Sequence, residues 1–322
     1  MAPTGTFSVR RFYYPKLTNS GKRFRIFPGK DTRKSEGGKM KTLGYYNGKY
    51  DEIENMVIPM NDRVHWYGDG VYDAGPCHNY HIFAIDEHID RFFNSAALMD
   101  IKMPVTKGEL KDLLTELVKK VDTGDLFVYY QVTRGGYTNR LHSFDESIPA
   151  NLWVTLTHAE IKDCKTPIKC ITEPDTRFYH CNVKTLNLMP SVIAAQHAKR
   201  AGAEETILYR KNMGNRVTEC AHSNCHIILD GKLYTAPTDE LILPGIARAH
   251  LIRMAKKLGY AVSETPYDLD TLRGADEILV TSSSKLCMHV NELDEKPVGG
   301  KNQAMVEDLR SHLIDEFFEA TE

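Results

Sequence analysis

Between residues 85 and 121 apolar side chains return every three or four positions, the spacing of one face of an α-helix. Ile89, Phe92, Phe93, Ala96 and Ala97 form one such stripe, and Leu110, Leu113, Leu114, Leu117, Val118 and Val121 a second. Thr106 stands where it can cap the second helix, with Glu109 in the capping-box position three residues on. The pattern then changes. Leu126–Thr133 (LFVYYQVT) and residues 152–157 (LWVTLT) are dense in aromatic, β-branched and apolar residues and predict buried strands. Upstream, Asn47-Gly48 between short apolar stretches predicts a hairpin turn.

Beyond Thr166-Pro167, which reads as a domain junction, a strand is predicted at 168–172. A helix follows from about residue 188, with Pro190 in its first turn and Ala201-Gly202 as its C-terminal stop. Strands are predicted at 206–209 and 225–229, and Asp230-Gly231 turns the latter into a strand at 232–235. Gly245 leads into a helix that closes near Leu258-Gly259. A strand at 277–280 runs into Thr281-Ser282-Ser283-Ser284, and an amphipathic helix covers about 303–318. No repeat of fixed period is present. The mixture is α/β or α+β in two lobes, drawn at 43–160 and 165–322.

Composition narrows the class. With 322 residues, 42% hydrophobic and 26% charged, the chain is long enough for two cores and too apolar for wholesale disorder. The net charge of −2 excludes a dominant basic field over the whole chain, so no nucleic-acid partner is expected. That balance is uneven: residues 1–45 hold eleven Lys and Arg against two acids. The segment 1–42 reads as a surface extension. A nucleic-acid arm and a mitochondrial presequence are its alternatives, and its Gly and Pro content works against the amphipathic helix a presequence needs. No apolar run approaches the ~18 residues of a membrane span, so no membrane partner is expected. Seven scattered cysteines without a CxxC pair read as reduced thiols in a cytoplasmic chain.

Spacing alone names no chemistry. Asn182-Val183-Lys184-Thr185-Leu186-Asn187-Leu188 puts a lysine in a loop between a strand and an apolar helix, and most such lysines are solvated. Glu219 alone reads as a loop acid. Arg91, one step off the apolar stripe, either points into a cleft or pairs with Glu87 at i−4.

Seven segments taken in order say more. The lysine stretch resembles that of D-amino-acid transaminases, members of the fold-type IV pyridoxal-phosphate enzymes. Asp62-Arg63 through Tyr67-Gly68-Asp69-Gly70-Val71-Tyr72 resembles the family's early loop, and Asp86-Glu87-His88-Ile89-Asp90-Arg91 its phosphate-arginine segment. Gln131-Val132-Thr133-Arg134-Gly135 resembles the strand before the substrate loop, and Val217-Thr218-Glu219 the segment of the pyridine acid. Leu243-Pro244-Gly245-Ile246-Ala247-Arg248 and Val280-Thr281-Ser282-Ser283 resemble two phosphate loops.

The resemblance spans roughly 43–318 and implies a two-domain fold with pyridoxal 5′-phosphate between the lobes. It implies that Lys184 forms the Schiff base and then shuttles the proton, and that Glu219 holds the pyridine nitrogen protonated. It gives Arg91, Ile246, Ala247, Ser282 and Ser283 to the phosphate and Leu243 to the underside of the ring. Asn139-Arg140-Leu141-His142 resembles the family's Arg-x-His. With Tyr72, Arg140 and His142 would grip the substrate carboxylate through charge-assisted hydrogen bonds, the loop coming from the second subunit of a homodimer. D-amino acids and 2-oxo acids are the implied substrates.

The alternatives on this scaffold are an (R)-amine transaminase, a branched-chain L-amino-acid transaminase, an aminodeoxychorismate lyase and a non-catalytic binding protein. Two departures stand out. Ala247 occupies a position where the family commonly has threonine, and Cys220-Ala221-His222 follows Glu219 where small Gly or Ser residues are usual. Cys181 reads as a packed thiol.

Overall fold

The computed structural model describes residues 39–137, 139–161 and 164–322. Of the basic extension drawn at 1–42, residues 1–38 lie outside the described residues, and so do the expectations attached to them. The first described residues already belong to the body: the Met40 amide donates to Lys120 O at 3.0 Å, and the Asp122 amide to Met40 O at 2.9 Å.

A six-stranded sheet is built in the order Lys49–Asp51, Leu43–Tyr46, Asn151–His158, Leu126–Thr133, Gly70–His78, His81–Ile82, with every pair antiparallel. The Asn47-Gly48 turn has positive φ at both residues, as a type I′ hairpin requires. The helices Ile85–Leu98 and Lys107–Val118 share one core with this sheet, including Leu43, Phe92, Leu114, Val128 and Tyr130. The capping box at Thr106 and Glu109 is present in both directions, at 3.2 and 2.8 Å.

The first helical stripe is narrower than its spacing implied. Ile89, Phe92 and Ala96 are buried, Phe93 is half-buried and Ala97 is exposed. The helix buries a second, polar face instead, made of His88, Arg91 and Ser95. This face packs against the strand Gly70–His78, whose sequence GVYDAGPCH carries no readable alternation. Glycine, aspartate and proline interrupt the apolar pattern, yet the strand pairs with Leu126–Thr133 along nearly its whole length. Gly70 is required there, because a Cβ would lie 2.6 Å from Val132 O.

The second sheet is mixed and runs Val262–Ser263, Lys232–Thr235, Asn224–Leu229, Glu277–Ser282, Leu286–Leu293, Ile168–Pro174, Glu205–Arg210, Arg216–Cys220, with Lys296–Pro297 beside Leu286–Leu293. Ile168–Pro174 is parallel to both of its neighbours. The helices Ile246–Lys257 and Gln303–Glu319 pack on this sheet through Leu251, Met254, Leu279, Leu309 and Leu313. Met189–Arg200 lies against Glu205–Arg210. Glu219 is on the strand Arg216–Cys220 and buried, not in a loop. The fold is α/β of the mixed kind.

The packing of Phe92 on Tyr130, edge to face at 4.9 Å, anchors the helix that carries Arg91. Phe92→Ala should therefore cost about 3–5 kcal/mol in urea unfolding. A loss below about 1 kcal/mol would mean that the helix is held elsewhere.

Candidate active site

Residues 183–188 cross from one sheet to the other and are tied down by backbone. The Tyr72 amide donates to Lys184 O at 2.9 Å and the Leu186 amide to Gly70 O at 3.1 Å. The Lys184 amide donates to the buried Ser95 Oγ at 3.1 Å. Three bonds to neighbouring elements thus fix the lysine backbone, and its Nζ lies 4.4 Å from the centre of the Tyr72 ring. Both side chains line a cavity of about 460 Å³ with walls from both sheets.

Arg91 lines the same cavity, but its charge is engaged. Nε and an Nη donate to the two Asp73 oxygens, each at 2.8 Å, and the other Nη reaches Pro244 O at 3.2 Å. Glu87 pairs instead with Arg253 at 3.0 Å. His88 completes the buried group, with Nδ1 2.7 Å from Asp73 Oδ1. Burial alone would raise the Asp73 carboxyl, but Arg91 and His88 outweigh it and hold it well below the ordinary carboxylate range. For His88, burial prevails over Asp73 and pushes the imidazole down. Arg91 is thus a fixed cation, with two nitrogens committed to Asp73 and the third donating to Pro244 O.

Glu219 faces the cavity from the second sheet. One carboxylate oxygen receives the Asn224 side-chain amide at 2.8 Å and the Leu243 backbone amide at 3.0 Å. The other receives Arg177. Arg177 also grips Asp175 through Nε at 3.0 Å and an Nη at 2.9 Å. Burial pushes the Glu219 carboxyl up from its ordinary range, against the pull of Arg177 and the Leu243 amide. Spacing gave no sign of Arg177, Asp175 or Asn224. Once the structure buries Glu219, a cation is required beside it, and Arg177, seven residues before Lys184, supplies it.

At the far end the helix Ile246–Lys257 begins at Gly245 with no side-chain cap, leaving its first amides open toward the cavity. A Cβ on Gly245 would fall 2.0 Å from Asn224 Oδ1, so a side chain there would break the support of Glu219. Leu243, Ile246 and Ala247 line this end, and so do Thr281, Ser282 and Ser283. The donor set fits pyridoxal 5′-phosphate. Open amides and hydroxyls suit its phosphate, a buried carboxylate suits its ring nitrogen, and a lysine amine suits its aldehyde.

Arg140 and His142 are not among the residues lining this cavity. They fold back on Tyr67, with the Arg140 guanidinium 4.9 Å and the His142 ring 5.2 Å from its centre. Arg63 holds their backbone, donating to Leu141 O at 2.5 Å and His142 O at 2.9 Å. His222 does line the cavity, 61% exposed, with Nδ1 3.0 Å from the buried Glu205. Cys181 also lines it, and burial pushes its thiol up to about 11, so it stays protonated at neutral pH.

The Asp73 cluster has a measurable signature. A depressed carboxyl contributes stability that is complete above its unfolded value of about 3.9 and is lost as pH falls below it. Asp73→Asn should cost about 3–5 kcal/mol at pH 7 and flatten the loss of stability below pH 4. Urea titrations at several pH values check this; parallel acid limbs would rule out Asp73 as their source.

The family model for class IV amino-transferases matches residues 70–293. A D-alanine aminotransferase of Listeria monocytogenes serotype 1/2a (strain 10403S) is 36% identical over 281 residues, covering 85% of this chain and 96% of the relative. One from Bacillus licheniformis is 32% identical over 262 residues, covering 81% and 90%. The branched-chain amino acid aminotransferase of Escherichia coli has the same fold, with a TM-score of 0.79 at 20% identity, covering 88% of this chain and 97% of that one. A second solved branched-chain amino acid aminotransferase, complexed with N-(5'-phosphopyridoxyl)-L-glutamate, gives 0.77 at 24% identity, covering 88% and 95%. A cavity built from a lysine, a supported acid and an open helix start, on this fold and with these relatives, has one reading: the chain belongs to the class IV aminotransferases.

Proposed function

We propose that this enzyme transfers the amino group of D-amino acids such as D-alanine, D-glutamate or D-aspartate to a 2-oxo acid (2-oxoglutarate or pyruvate), using pyridoxal 5′-phosphate. One observation carries the reading: Lys184, Glu219 and the uncapped start of the helix at Gly245 share one cavity. The D-alanine aminotransferases among its relatives support the choice of substrate stereochemistry.

When bound, the cofactor supplies an aldehyde and a ring that takes up the electron pair left at Cα. Lys184 then acts as general base and acid, taking the proton from Cα and returning it to the cofactor side. Its fixed backbone limits the amine to a small arc beside Tyr72. Glu219 holds the proton on the ring nitrogen, and Arg177 partly offsets the burial that raises its carboxyl. The amides at Gly245 and the hydroxyls of Ser282 and Ser283 bind the phosphate, with Arg91 adding positive charge nearby. The second half of a ping-pong cycle returns the amine to the 2-oxo acid.

Tyr72 lines the cavity from this chain, and Arg140 and His142 complete the carboxylate site from a second copy. The homodimer is supported by the position of that loop off its own cavity. It is supported as well by exposed apolar residues beside the site, Phe178 (60%), Met189 (67%) and Val192 (58%). A reducing, cytoplasmic setting belongs to the same proposal.

A half-reaction panel tests it. D-alanine should discharge the bound cofactor's absorbance and L-leucine should not; reaction with the L-form alone would sink the assignment. Arg140→Ala should raise KM for D-amino acids about 10- to 100-fold, because a charge-assisted bond is lost, and leave simple primary amines nearly unaffected. Equal effects on both would mean that the loop does not grip the carboxylate.

A further inference from the structure

The fully buried His226 lies in the middle of the second sheet, outside the roles given so far. Its strand, Asn224–Leu229, has Lys232–Thr235 on one side and Glu277–Ser282 on the other. The imidazole bridges them, with Nδ1 2.9 Å from Thr235 Oγ1 and Nε2 2.8 Å from Thr281 Oγ1. Thr281 lines the cavity next to Ser282 and Ser283. Arg248, in the first turn of the helix that starts at Gly245, reaches Thr235 Oγ1 through Nε at 3.3 Å, and Ala236 O and Glu264 through an Nη at 2.9 Å each.

Arg248 and the burial of Thr235 set the direction of this chain of hydrogen bonds: were Thr235 Oγ1 to accept from both Arg248 and the imidazole, its own proton would be left unpaired inside the sheet. A guanidinium only donates, so Thr235 Oγ1 accepts from Arg248. Among the described residues its hydroxyl proton has one acceptor, His226 Nδ1. Burial, aided by Arg248, pushes the imidazole down to about 3, so the ring is neutral and carries one proton. With Nδ1 accepting, that proton is on Nε2 and is donated to Thr281 Oγ1. The Thr281 hydroxyl proton then has no acceptor among the described residues, and the cavity is its open side. From this we infer that His226 is a positioning residue for the cofactor phosphate, which it serves by turning the Thr281 hydroxyl outward as a donor. The device supplies a hydroxyl at a cup where the helix start contributes only Ile246 and Ala247. It rests on the reading of the Gly245 and Ser282-Ser283 end as the phosphate end.

The test uses the full chain freed of cofactor and titrated with pyridoxal 5′-phosphate and with pyridoxal, which lacks the phosphate. Thr281→Val should weaken the phosphorylated ligand about 10- to 100-fold and pyridoxal hardly at all, since a donor to a charged group is lost. Thr281→Ser should restore most of the affinity, and His226→Phe should reproduce the selective loss. Nitrogen NMR of the unmodified protein should find the His226 proton on Nε2. An unchanged affinity ratio in Thr281→Val, or a proton on Nδ1, overturns the inference. Ser282→Ala and Ser283→Ala tell the two possible failures apart. If these change the ratio while Thr281→Val does not, only the relay is wrong; if none of the three does, the phosphate end itself is misread and the inference falls with it.

Discussion

Two backbone hydrogen bonds, Tyr72 to Lys184 and Leu186 to Gly70, fasten the lysine loop to a strand of the other sheet. The site depends on this seam. It turns a lysine on a connecting segment into a group with a fixed origin, and it brings the walls of two sheets to one cavity. A third bond, from the Lys184 amide to Ser95, couples the seam to the helix Ile85–Leu98, so the core packing around Phe92 bears on the position of the Lys184 amine. Precision at a reacting atom comes from such supports, because a displacement of about 1 Å costs much of the benefit of holding the partners in place.

Two buried charge clusters stand on the walls of the cavity. Asp73 with Arg91 and His88 belongs to the first sheet and its helix, and Glu219 with Arg177 and Asp175 to the second. In the first, Arg91 offsets Asp73; in the second, two acids face Arg177, and Arg210, with Nε 3.2 Å from Asp175, supplies the second positive charge. Their surroundings differ. Glu219 lines the cavity while three donors hold its two oxygens, an arrangement that suits a ring N–H. Arg91 gives two of its nitrogens to Asp73 and is held rigid beside Pro244, next to the open helix start at Gly245.

Much of the fold is legible in the chain because local rules coincide with the tertiary result. The Thr106 cap, the Asn47-Gly48 turn, the strand Leu126–Thr133 and the helix from Met189 ended by Gly202 all follow from period or turn chemistry. The strand Gly70–His78 is not legible, because the site needs Asp73 and close backbone approach at Gly70 more than it needs alternation. Glu219 reads as a loop acid for the same reason: its strand is buried around a charge. Arg177 is invisible to spacing since its partner lies forty-two residues away. Lys184 stands out only through the ordered set of motifs. Arg140 and His142 illustrate a different limit, since a single chain holds them against Tyr67 and Arg63, off the cavity.

The proposed chemistry requires Lys184 to be the residue to which the cofactor aldehyde is joined. Borohydride reduction of the purified enzyme followed by peptide mapping addresses it directly. A pyridoxyl group should appear on the peptide containing Lys184 and nowhere else in the chain. A label on another lysine, or none at all in an enzyme still able to transaminate, would contradict it.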